Sequence, residues 1–164
     1  MLNLDILQEY YIEKTISDRD TDIHKQLQKN ISELSKCIRF LVKYYLIPIT
    51  VKHNLISVYK MAICTYRYLY DISCASYDEV SQLLEDVERA IEQVKCIFDY
   101  LKSENITISY TENYDATKSS TFYDAQETFI QHLTKCMILL KKIQTAFLET
   151  SYALGYHDIV WTKC

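Results

Sequence analysis

A chain of 164 residues with a formal net charge of −4, 49% hydrophobic and 24% charged, has the size and balance of one ordinary globular domain, which argues against a disordered polymer or a membrane protein. One glycine, Gly155, and one proline, Pro48, are too few for the tight turns of an all-β protein or the glycine-rich loops of a nucleotide-binding α/β fold, so helices are the default. Cys37, Cys64, Cys74, Cys96, Cys136 and Cys164 form no Cys-x-x-Cys pair, and without a signal peptide they read as free thiols rather than as a zinc site or a disulfide frame.

The segment Leu2 to Ile16 carries Leu4, Leu7 and Tyr11 at helical spacing and then meets 17–22, which is rich in capping residues and empty of apolar ones. This predicts a short N-terminal helical arm over 1–18. A heptad seam, Leu27, Ile31, Leu34, Ile38, Leu41 and Tyr45, then predicts a helix over about 21–46. Pro48 fits the first turn of a helix but not its interior, so it separates this helix from the next.

The next seam, Val51, Leu55, Val58, Ala62, Thr65, Leu69 and Ile72, predicts a helix over about 49–74. Ile56, Ile63 and Tyr70 flank that seam and leave apolar surface over. Asp78 and Glu79 favour a helix N-terminus, and Val80, Leu84, Val87, Ile91, Val94, Phe98 and Leu101 form the most regular seam, predicting a helix over 78–103 with Cys96 facing outward.

Residues 103–120 break the pattern. Ile106, Ile108 and Tyr110 alternate as in a strand, but a lone strand has no evident partner, so the segment is expected to be loop. Phe122, Phe129, Leu133, Cys136, Leu140, Ile143 and Phe147, widened by Ile130 and Met137, predict a last helix over 121–154, with Gly155 placed to cap it. Four seams of similar length on short connections predict an all-α protein, an antiparallel four-helix bundle plus the arm, with 19–164 as a single domain. The spare arm and the apolar flanks make self-association or a protein partner the expected mode of action.

Charge is the feature that goes beyond a generic bundle. Residues 34–70 hold six bases and no acid, whereas 71–115 hold eleven acids against three bases. If Leu34 and Ile38 face inward, Lys36, Arg39 and Lys43 face outward, as do His53, Lys60 and Arg67 on the next helix, with Tyr59 and Tyr66 beside them. These eight residues form a candidate basic and aromatic binding face. Such a wall could neutralise phosphates while its tyrosines stack on unpaired bases of single-stranded DNA or RNA. The alternative is that its bases pair with the heptad-spaced acids Glu85, Glu92 and Asp99, while the tyrosines widen the core; the net negative charge favours this second reading.

Catalytic patterns are missing. His24, His53, His132 and His157 occur in neither Glu-x-x-His nor His-x-x-x-His spacing, and one glycine cannot build a phosphate loop or a nucleophile elbow. His157-Asp158 beside Trp161 is a chance juxtaposition near the C-terminus. No enzyme, metal or cofactor is expected. With no signal peptide or membrane span, the expectation is an intracellular helical-bundle subunit that works through protein-protein contacts, with single-stranded nucleic-acid binding as the alternative. The Tyr- and Ile-rich, Gly-poor composition resembles translation of an AT-rich genome, as in some viruses.

Overall fold

The computed structural model describes residues 21–68, 76–111 and 124–155, the side chains of 21–23, 67 and 68 excepted. Four helices follow in order: α1 (Thr21–Tyr44), α2 (Ile49–Tyr68), α3 (Tyr77–Ser103) and α4 (Ala125–Ala153). Each packs on its sequence neighbours and α4 closes back onto α1, a four-helix bundle. Cys37 of α1 touches Cys136 of α4, and further along Tyr45 reaches Thr128, nearer the start of α4, so these two helices run antiparallel. Among the described residues, no helix is long and apolar enough to cross a membrane.

The expected seams supply the interior. Leu27, Ile31, Leu34, Ile38 and Leu41 of α1 join Val51, Leu55, Val58 and Ala62 of α2 in one cluster with Val80, Val87, Ile91 and Val94 of α3 and Phe129, Leu133, Leu140 and Phe147 of α4. One seam position shifts: Phe98 is only half-buried, and Ile97 takes the fully buried place beside it. The predicted arm over 1–18 lies outside the described residues, as do Leu69, Tyr70 and Ile72, Cys74, Phe122, His157, Asp158, Trp161 and Cys164.

The caps are local chemistry. Ser76 is the N-cap of α3: its hydroxyl accepts from the Glu79 N–H at 3.2 Å and donates to the Glu79 carboxylate at 3.1 Å. Asp124 caps α4 by accepting from the Gln126 N–H at 3.1 Å. Beyond the C-caps, Asn105 and Gly155 take φ of 52° and 85°, the left-handed turn these two residue types tolerate best.

The expectation of loop over 103–120 needs one correction. Tyr45–Leu46 (β1) pairs antiparallel with Ser109–Tyr110 (β2), Tyr45 opposite Tyr110 and Leu46 opposite Ser109. The helix predicted to reach residue 46 ends at Tyr44 because the residue before a proline avoids the α region, and Pro48 forces the chain out early. That extended segment is the partner which the alternation of Ile106, Ile108 and Tyr110 lacked. The Thr111 N–H donates to the Tyr44 carbonyl at 2.9 Å, and Ile108 is buried with its N–H on Gln126 Oε1 at 2.6 Å. Tyr45 and Tyr110 both place their hydroxyls on Thr128 Oγ1, at 2.9 and 2.8 Å, tying the ribbon to the start of α4.

Candidate functional site

On the outer side of the α1/α2 pair runs a groove of about 890 Å³. On α2 the residues Ile56, Tyr59, Lys60 and Ile63 line it, spaced i, i+3, i+4 and i+7, so that one helical stripe faces the groove. On α1 Ile38 and Val42 line its inner side, and Lys36, Arg39 and Lys43 stand along its rim. No Asp or Glu is among the lining residues.

Five of the eight residues of the expected basic and aromatic face therefore come together: Lys36, Arg39, Lys43, Tyr59 and Lys60. His53 is exposed on α2 but does not line the groove, and the side chain of Arg67 is outside the described set. Tyr66 overturns its assignment. It is among the largest fully buried side chains, part of the core and not of the outer face. An α-helix of 3.6 residues per turn drifts by about 20° over seven residues, and from Tyr59 that drift carries Tyr66 toward the Ala62 side of the seam.

Among the described residues, no ion pair joins Arg39, Lys43 or Lys60 to the acidic row of α3. Glu92 is bridged by Lys95 of its own helix at 3.4 Å, and Asp86 by Arg89 at 3.3 Å. Arg39 and Lys60 make no ion pair among the described residues, and the Lys43 ammonium rests over the Tyr44 ring, 5.1 Å from its centroid. Tyr44 in turn tilts against Phe40, centroids 4.9 Å apart. The Tyr59 hydroxyl is buried and has no hydrogen-bond partner among the described residues.

A second constellation lies in the core. The Cys136 thiol donates to Cys37 Sγ at 3.4 Å, and Cys37 donates to the His132 carbonyl at 3.4 Å. The hydrogen bond from Cys136, with His132 and Lys135 adding positive potential, holds the Cys37 thiol below the ordinary thiol range against the effect of its burial, while donation and burial push Cys136 up. Among the described residues, no three His, Cys, Asp or Glu side chains gather to hold a metal ion.

Reading the heptads one helix at a time missed that the spare flank Ile56 and Ile63 and the bases of α1 share a single groove. The signal was present in the i, i+3, i+4, i+7 run of Ile56, Tyr59, Lys60 and Ile63, which repeats a helical stripe outside the seam. No family model matches the chain, and no curated protein or solved structure matches it.

Proposed function

We propose that the protein is a non-enzymatic, intracellular subunit of a larger assembly that acts by docking another protein in the groove between α1 and α2. The supporting observation is the apolar stripe Ile56, Tyr59 and Ile63 that lines the groove from α2: Ile56 and Ile63 lie outside the core cluster, and Tyr59 packs against its edge. The outward flank of a bundle helix is ordinarily polar, and a contiguous apolar strip rimmed by charge is the usual mark of a binding surface. The test starts by purifying a tagged chain from its native cells alongside an Ile63→Asp variant with an unchanged melting curve. A protein that co-purifies, and then binds the purified wild type directly and the variant about tenfold more weakly, is the expected result.

One observation favours a second reading, a single-strand nucleic-acid binder: four cations line the groove with no carboxylate among them. On that reading a labelled oligonucleotide binds with an affinity that falls steeply with salt, and changing Lys43 and Lys60 together to Glu abolishes binding while sparing the fold. The same oligonucleotide failing to bind at low salt would remove it.

A further inference from the structure

We infer that the groove receives an amphipathic α-helix of another protein, one whose apolar stripe is flanked by carboxylates gathered on the side that faces α1. This rests on the protein-docking reading and adds the partner's chemistry.

The shape of the groove selects a helix. Its α2 wall runs from Ile56 to Ile63, about 10 Å at the helical rise, which is two turns and the span over which i, i+3 or i+4, and i+7 anchors engage. Both walls are helices whose interior backbone groups are already bonded along their own axes, so an extended peptide finds no strand edge to extend. The aromatic rings do not form a platform for bases. Tyr44 is covered by Lys43 and Phe40, and Tyr59 turns its hydroxyl inward. The lining between the bases is apolar, Ile38, Val42, Ile56 and Ile63 with the rings of Phe40, Tyr44 and Tyr59, the complement of Leu, Ile or Phe side chains on a docked helix.

The charge of the rim selects the sequence of that helix. Among the described lining residues, Lys36, Arg39 and Lys43 recur along the α1 side against Lys60 on the α2 side, so complementary acids belong mainly on one flank of the partner. Acids there would speed encounter, and a basic flank would meet like charge and be rejected. Neither the α3 face nor the Ile138 face of α4 is the apolar, acid-flanked stripe that a second copy would have to supply. The acidic outer face of α3, with Glu85, Glu92 and Asp99, has Tyr77 as its one large exposed apolar residue, and Ile138 on α4 stands among Lys135, Lys141 and Lys142.

The test is selection from a displayed library of helical peptides about 18 residues long, randomised at the stripe and at both flanks, against the full chain. The expected result is enrichment of apolar residues at i, i+3 or i+4 and i+7, with Asp and Glu on one flank. A synthetic peptide of the winning sequence should lose about tenfold in affinity to Ile63→Asp and to Arg39→Glu, each with an unchanged melting curve. A peptide with those acids changed to Lys should regain binding to Arg39→Glu. Enrichment of neutral or basic helices that Ile63→Asp abolishes would overturn the inference while leaving protein docking intact. No enrichment that depends on Ile63 would overturn both. A dimer in light scattering that Ile63→Asp dissociates would give the groove to a second copy, and enrichment seen only after deleting residues 1–20 would give it to the chain's own N-terminal segment; either overturns the inference.

Discussion

The sulfur atoms of Cys37 and Cys136, almost a hundred residues apart in the chain, lie 3.4 Å from one another across the α1/α4 interface. Cys136 is fully buried and Cys37 nearly so, and each sulfur fills space between packed helices as a small apolar group would. Cys64 and Cys96, in contrast, are exposed.

This contrast predicts the order of thiol labelling. In the folded protein iodoacetamide should modify Cys64 and Cys96, and reach Cys37 and Cys136 only as denaturant opens the bundle. Burial between α1 and α4 is what shields Cys37 and Cys136 from the reagent. Peptide mapping by mass spectrometry reads the order directly. Native labelling of Cys37 at the rate of Cys96 would contradict the packing of α1 on α4.

Replacing Ile91 with Asp should unfold the bundle. Ile91 is buried in the middle of the α3 seam with apolar neighbours, and an unpaired carboxylate there costs several kcal/mol against a total stability of about 5–15 kcal/mol. Circular dichroism would show the loss of the cooperative thermal transition. An unaltered melting curve would remove α3 from its place in the core.

Thr128→Val is a sharper probe of the ribbon. Its hydroxyl is the shared partner of Tyr45 and Tyr110, and its loss takes a hydrogen bond from the buried phenol of Tyr45 and the half-buried one of Tyr110. The expected destabilisation is about 1–3 kcal/mol in urea unfolding, larger than that of Tyr110→Phe, which removes one of the two bonds. Equal effects would mean that the Tyr45 bond contributes nothing.

Ser76→Ala should cost about 1 kcal/mol, because the N-cap hydroxyl satisfies the Glu79 N–H and holds the Glu79 carboxylate. Ser76 is exposed, so no packing is lost with it. A chemical-denaturation midpoint shifted without a change in slope is the signature expected.

The four helices and most of their buried faces were legible in the sequence, because the spacing of Leu27, Ile31, Leu34 and Ile38, or of Val80, Leu84, Val87 and Ile91, records a local periodicity that burial simply uses. Gly155 and Pro48 mark helix ends for equally local reasons. The β1–β2 pairing was not legible, since Tyr45 and Tyr110 are distant in the chain and neither segment forms a strand without the other. Nor was the fate of Tyr66: seven-residue spacing from Tyr59 placed it outside, and the drift of the helix over that heptad, with the packing of α2 on its neighbours, put it in the core. The groove belongs to the same class. Ile56 and Ile63 on one helix and Lys36, Arg39 and Lys43 on another become one site only when the azimuth of each helix about its own axis is set, and that angle follows from interdigitation of side chains across the bundle.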